Sequence, residues 1–514
     1  MFATLCAITL HGVDAIEVAV ELDASNGMPS FQIGGLGDSA IKESKQRVIS
    51  AIKNSGYKIP PRRITVNLAP ADLKKEGTCY DLAIAIGLLI ATNQIEILIK
   101  GKFLILGELS LDGKLRPVSG ILPAAIMAKK QQYDGLILPK ENQSEASVVE
   151  DIKIIGVNNL LEAIKFLSNE FIPNTTEIHN IIPNNENYPV DFSDIKGQEG
   201  VKRALTIAAA GGHNLICIGP PGSGKTMSAR AIPSILPSLS KPEMLETSKI
   251  YSVAGLLPTN YPLIHTRPFR APHHSISEAG LVGGGSNPMP GEVSLSHNGV
   301  LFLDELTEFN LRTLESLRQP LEDKKITISR AKRTVTFPSN TMLLAAMNPC
   351  PCGFYGSNSN SCTCTSNQIQ KYLSKVSGPL LDRIDMHIEA PPVNKTDLLS
   401  NTKSETSASI KIKVENARNV QLKRFQNQSN MQIHSCYSNS DMNPRQIKQF
   451  CLLNTQNTKL MEKMFDNLNF SARSYNKVLK IARTIADLDD SKNIEQNHLL
   501  EAIQYRTLDR KYWG

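Results

Sequence analysis

Three short apolar runs organise the second half of the chain: Asn214-Leu-Ile-Cys-Ile218, Val300-Leu-Phe-Leu303 and Thr341-Met-Leu-Leu-Ala-Ala-Met347. Uncharged runs of this length read as strands buried on both faces, the pattern of a parallel sheet. Lys324 to Phe337 instead alternates with period two on both sides of Ala331 to Thr334, which predicts a β-hairpin with Lys332 and Arg333 at its tip. Further on the period lengthens. Ile410, Val414, Ala417 and Leu422 recur at helical spacing, Tyr475 to Leu488 forms an amphipathic helical pattern, and Asn443 to Arg510 carries several helical periods. The first third mixes strand and helix signals, and its longest apolar run, Leu82 to Ala91, is too short to span a bilayer. A Pro/Asn-rich stretch from Ile172 to Pro189 reads as a linker. The predicted class is therefore α/β: an N-terminal α+β domain over 1–170, a linker over 171–190, a parallel-sheet domain over 191–395 and a helical lid over 396–514.

At 514 residues the chain is too long for one core. Its net charge of +7 favours a polyanionic partner only weakly at this length. The N-terminus lacks a basic region, and Asp14 and Glu17 interrupt the apolar stretch that follows, so neither a secretory signal nor a membrane span is expected. The expectation is a cytoplasmic protein in a reducing compartment, where nine cysteines need an explanation other than disulfides. Four of them cluster as Cys350-Pro-Cys352 and Cys362-Thr-Cys364 around a Gly/Ser/Asn loop with little to hold itself together. Paired thiolates at both ends of such a loop can close a tetrahedral S₄ zinc site; the alternative is four reduced thiols in a loose loop. Cys6, Cys217 and Cys451 sit among apolar residues and read as core.

The sharpest chemical signal is Gly219-Pro220-Pro221-Gly222-Ser223-Gly224-Lys225-Thr226, between a strand and a segment that can open a helix. In that context G-x-x-x-x-G-K-T is a phosphate cradle for ATP: glycine-permitted N–H groups face the anion, Lys225 reaches the β/γ-phosphates and the Thr226 hydroxyl ligates Mg²⁺. Asp304 and Glu305 follow the second apolar run, where Asp304 suits the Mg²⁺ shell and Glu305 the attacking water. Asn348 ends the third run and could position the same water. Arg383 and Arg473 offer planar guanidinium groups, which can clamp a γ-phosphate from a neighbouring subunit; taken singly, each could equally be a surface salt bridge.

Taken in this order, the elements from about Phe192 onward resemble an AAA+ ATPase of the group containing the magnesium-chelatase ATPase subunit and the MCM helicases. Three segments make the resemblance closer: Arg267-Pro-Phe-Arg270-Ala-Pro-His273-His274-Ser275, Gly291-Glu292 to Val300, and Met347-Asn-Pro-Cys-Pro-Cys-Gly353. They are similar to the YifB/ComM family of magnesium-chelatase-like proteins, which includes a hexameric branch-migration helicase of natural transformation. The resemblance implies a homo-hexameric ATP-dependent motor acting on single-stranded and branched or duplex DNA, with Arg383 as arginine finger and Arg473 as sensor-2 arginine. It also places the hairpin tip, Lys332 and Arg333, in a central pore, with Arg270, His273 and His274 in a second pore element, where basic side chains would meet phosphates.

In the N-terminal third, Lys75-Glu-Gly-Thr-Cys79-Tyr-Asp81, Gly107 to Gly120 and Leu138 to Asn142 resemble the protease domain of Lon. That family's Ser–Lys dyad falls here on Cys79 and Leu122, and leucine cannot take a proton. The resemblance therefore implies a scaffold for oligomerisation or DNA contact rather than a peptidase. A chelatase-type motor that remodels a protein partner remains the alternative to a DNA motor.

Overall fold

The computed structural model describes residues 2–170, 188–258, 261–330, 333–356, 361–393, 404–426, 438–468 and 471–513. Most of the expected linker, Lys332 and the side chain of Arg333 lie outside the described residues. The chain divides into two units.

The first comprises Met1–Asn184 together with Lys241–His265 and Ser329–Phe337. Its sheet uses β1 (Phe2–His11), β2 (Asp14–Ser25), β3 (Ser30–Gly34), β4 (Arg63–Ala69), β5 (Phe103–Ile105), β6 (Gly135–Pro139) and β7 (Lys153–Val157), in the order β3-β4-β2-β1-β5-β6-β7. β1 and β2 pair antiparallel from Phe2 opposite Asp23 to His11 opposite Asp14, leaving Gly12 and Val13 as a two-residue turn. Gly12 has φ +65°, which suits a tight hairpin, and a Cβ there would lie 2.8 Å from the carbonyl oxygen of Thr336. The apolar run of the sequence becomes helix Asp81–Ala91, which packs on β1 and β2 and is buried along almost its whole length. Each of Leu82, Ile84, Ile86 and Leu88 contributes roughly 1.5–3 kcal/mol by leaving water. Asp81 at the start of this helix is buried and held bidentately by Arg47, at 2.7 and 3.2 Å. Helix Lys241–Val253 docks against helix Ile121–Lys130: Ser252 accepts from Gly120 N through its carbonyl and donates through Oγ to Glu145 Oε1 at 2.6 Å.

The second unit holds an all-parallel sheet of β8 (Leu215–Ile218), β9 (Phe269–Arg270), β10 (Val300–Leu303), β11 (Met342–Met347) and β12 (Met386–Glu389), in the order β9-β10-β11-β8-β12. The three predicted runs are its central strands, and every residue of β8, β10 and β11 is buried, as their continuous hydrophobicity requires. Ile218 lies opposite Met347, so Gly219 and Asn348 leave the sheet at the same level. The C-terminal helices Ser407–Gln426 and Ala472–Leu488 pack on helix Glu199–Gly211. Helix Ala472–Leu488 begins at Ser471, whose side chain accepts from Ser474 N, and its stripe Val478, Ile481, Ala482 and Ile485 joins Ala204, Ala208, Val414 and Ala417 in one core. Strands Lys325–Arg330 and Arg333–Pro338 pair as the predicted hairpin. Among the described residues no helix is long and apolar enough to cross a membrane.

Candidate functional site

Parallel strands deliver their C-terminal ends to one edge, and a cleft of about 960 Å³ opens there. Pro221, Gly222, Lys225 and Thr226 line it from the loop after β8, Asp304 and Glu305 from the end of β10, and Asn348 from the end of β11. Gly222 and Gly224 adopt φ +78° and +84°, conformations that cost glycine little and other residues more. Lys225 Nζ donates to the carbonyls of Gly219 (2.7 Å) and Pro220 (2.8 Å) and to Asn348 Oδ1 at 3.2 Å. Burial pushes its pKa down. Thr226 Oγ1 donates to Asp304 Oδ2 at 2.8 Å. These are hard oxygen donors from two elements at one point, a set that fits Mg²⁺ carried by a triphosphate. Glu305 stands at φ +50°, a left-handed backbone that costs a non-glycine residue about 1 kcal/mol or more. Its carboxylate is 60% exposed, free to meet a water, and His274 Nδ1 lies 3.5 Å from it.

Gln198, itself at φ +58°, braces the cradle: its side chain donates to the carbonyls of Ser223 (2.9 Å) and Pro391 (2.6 Å). No motif in the sequence points to it. Gln368, Lys371, Tyr372 and Lys375 also line the cleft. The first three stand on helix Ser366–Leu373, which is capped by Thr365 and Gln368 in a capping box, a local signal that could have located it.

All four clustered cysteines converge. The Sγ atoms of Cys350, Cys352, Cys362 and Cys364 lie within 4.8 Å of one another, with Cys350–Cys352 at 3.3 Å, Cys352–Cys362 at 3.5 Å and Cys350–Cys362 at 3.7 Å. A tetrahedral ZnS₄ centre has edges of about 3.8 Å, so the set fits that ion. Backbone N–H groups already point at sulfur, Tyr355 N at Cys350 (3.3 Å) and Cys352 N at Cys364 (3.4 Å). N–H groups of Phe354 and Thr363 draw the Cys352 thiol down to about 5. At Cys362 an N–H from Cys364 favours the thiolate, but burial and the neighbouring sulfurs outweigh it and push the thiol up to about 12. Four adjacent thiols cannot all ionise without a cation among them.

Arg383 and Arg473 do not line the cleft; both reach Glu322 instead. Arg383 donates to Glu322 and to the carbonyls of Arg318 (2.9 Å) and Pro379 (2.6 Å), and Arg473 lies 3.3 Å from the same carboxylate with its side chain 62% exposed. Arg270 is paired bidentately with Glu292 at 2.6 and 2.7 Å, and Arg267 donates to the carbonyls of Pro237, Ser238 and Asn298. His273 hydrogen-bonds Ser275 Oγ at 2.8 Å and packs against the His274 ring at 4.0 Å. Arg270 and His274 thus each lie beside a carboxylate of the same chain. In the first unit, burial and the nearby Asp81 charge push the Cys79 thiol up to about 12, and Leu122 is fully buried. That is the environment of an inert thiol.

Three family models match the chain: "Magnesium chelatase, subunit ChlI" over residues 191–398, "Subunit ChlI of Mg-chelatase" over 20–142 and "Magnesium chelatase, subunit ChlI C-terminal" over 404–506. The chain is 44% identical to Competence protein ComM of Haemophilus influenzae, covering 97% of this chain and 96% of that protein. It is 42% identical to the uncharacterized protein YifB of Escherichia coli, with the same coverage. Over 164 residues of its N-terminal region it is 32% identical to Lon protease 2 of Bacillus subtilis, 29% of either chain. Matches of this extent are decisive: the chain belongs to the magnesium-chelatase-like AAA+ family that includes ComM and YifB.

Proposed function

We propose that this ATPase is a ring-forming DNA motor, a helicase that drives branch migration during homologous recombination of transforming DNA in the cytoplasm. The observation that carries the motor reading is the meeting of Lys225, Thr226, Asp304, Glu305 and Asn348 in one cleft. Lys225 and the loop N–H groups hold the β/γ-phosphates, and Asn348, tied to Lys225, marks where the γ-phosphate ends. Thr226 and Asp304 hold Mg²⁺, which neutralises charge developing on the phosphates when bound. Glu305 orients the attacking water and takes its proton. Arg383 serves as the arginine finger for the site of an adjacent copy in a homo-hexamer and Arg473 as the sensor-2 arginine, each exchanging Glu322 for the γ-phosphate. Cys350, Cys352, Cys362 and Cys364 hold one structural Zn²⁺, and metal analysis of the purified protein should find about one per chain.

DNA contact falls to Lys332 and Arg333 at the hairpin tip and to Arg270, His273 and His274 in the insertion, where Arg270 pairs with Glu292 and His274 lies beside Glu305. The chain comprises a Lon-like scaffold over 1–170, a linker to 190, the ATPase to 395 and a lid beyond. The family's chelatase members favour a second reading, a motor that remodels a protein partner. ATP hydrolysis with no DNA, single-stranded, duplex and branched DNA separates the two: stimulation supports the DNA motor, and an unchanged rate with no DNA binding supports the other. Proteolysis has no base at Leu122 and no thiolate at Cys79 to support it.

A further inference from the structure

The cysteine centre and the ATP cleft share a wall. Pro351, Cys352, Thr363 and Cys364 line the same cleft as Lys225 and Asp304. The turn that carries the first cysteine pair sits directly on the phosphate loop: Gly353, at φ +85°, donates its N–H to the Cys350 carbonyl at 3.0 Å, and a Cβ on it would lie 2.5 Å from Pro221 Cδ. The second cysteine pair leads without a break into Thr365, the cap of helix Ser366–Leu373, which presents Lys371 to the cleft. Beyond Phe354 and Tyr355 the stretch between the pairs is Gly, Ser and Asn, so sulfur ligation can fix both ends of this wall.

We propose that zinc at the four cysteines and nucleotide in the cleft are coupled ligands, so that metal loading sets the affinity for ATP. The proposal rests on the zinc reading above. With zinc bound, the Gly353 turn keeps Pro221 seated and the Lys371 helix keeps its cationic face toward the polyphosphate. Without it, binding nucleotide must also order the wall, and affinity falls. Linkage requires the reverse effect: nucleotide tightens zinc by the same factor.

The test uses the full chain in excess Mg²⁺. Affinity for a fluorescent ATP analogue is measured on protein as purified, on protein stripped with a thiol-directed mercurial and chelator then freed of both under reducing conditions, and on stripped protein reloaded with zinc. Stripping should weaken binding at least about tenfold, and reloading should restore it. Zinc affinity, read by competition with a chromophoric chelator, should rise by the same factor when a non-hydrolysable ATP analogue is present. Gly353→Ala keeps all four thiols but crowds Pro221; it should retain about one zinc per chain, the expectation for one S₄ site, while losing nucleotide affinity. Equal affinity in stripped and loaded protein, with zinc affinity indifferent to nucleotide, overturns the coupling and leaves the zinc site standing. Protein that neither carries nor takes up zinc overturns both.

Discussion

Thr226 Oγ1 lies 2.8 Å from Asp304 Oδ2, joining the first turn of the helix after the phosphate loop to the end of β10, two places along the sheet from β8. That contact juxtaposes two hard oxygen ligands beside the half-buried Lys225 before any nucleotide arrives. Lys225→Ala should therefore abolish nucleotide binding, whereas Glu305→Gln should bind ATP and slow its cleavage by a factor on the order of 10²–10⁴, the range for a positioned general base. Binding of a fluorescent nucleotide and single-turnover hydrolysis separate the two. Wild-type turnover by either variant would remove the residue from its role.

Arg383 and Arg473 share Glu322 rather than reaching the cleft of their own chain. If Arg383 acts on an adjacent copy, Arg383→Ala should leave ATP binding largely intact while hydrolysis falls by a factor on the order of 10³. Mixing this variant with Lys225→Ala protein should partly restore activity, because some interfaces then pair an intact Lys225 with an intact Arg383. Mixed rings that stay inactive would contradict a shared site.

Asp385, next but one to Arg383, is a structural partner of Lys477. Lys477 Nζ lies 3.2 Å from Asp385 Oδ1 and donates to the Ile384 carbonyl at 3.0 Å, and Asn214 N donates to Asp385 Oδ2 at 3.0 Å. Burial alone would raise the Asp385 carboxyl, but Lys477 and His213 outweigh it and hold it well below the usual carboxylate range. Asp385→Asn leaves a largely buried ammonium without its counter-charge and should cost up to about 3 kcal/mol. A carboxylate depressed in the folded state adds stability above its unfolded pKa and loses it as pH falls toward the folded value. Chemical denaturation should thus show the gap between wild type and variant undiminished from neutral pH to about pH 4, narrowing only below.

The hairpin is the third element open to direct test. Lys332→Ala with Arg333→Ala removes two basic groups without touching the cleft, so basal hydrolysis should persist. DNA binding should weaken, and its log–log salt dependence should flatten by roughly 0.7–0.9 for each phosphate that is no longer neutralised. A double variant that binds DNA like wild type at every salt concentration would move the DNA-binding surface elsewhere.

The cleft was legible in the sequence wherever chemistry is local. The phosphate loop declares itself by spacing, and Asp304, Glu305 and Asn348 by ending buried runs; the register of Ile218 with Met347 then brings them level. The four cysteines were legible for the same reason, as two close pairs across one loop. Long-range pairings were not. Nothing in the sequence around Arg270 or His274 announces that they meet Glu292 and Glu305, because the partners come from other segments. Helix Lys241–Val253 was hidden likewise: it follows the phosphate loop in sequence yet packs on helix Ile121–Lys130 of the first unit.

The central claim is that ATP hydrolysis in this cleft drives movement on DNA. Its most direct test is the steady-state ATPase rate of the full chain at low salt, titrated with a branched DNA substrate whose strand exchange is followed in the same reaction. The rate should rise with DNA, and exchange should proceed only with hydrolysable ATP. A rate indifferent to every form of DNA, with no exchange, would contradict the claim and leave a motor that acts on a protein partner.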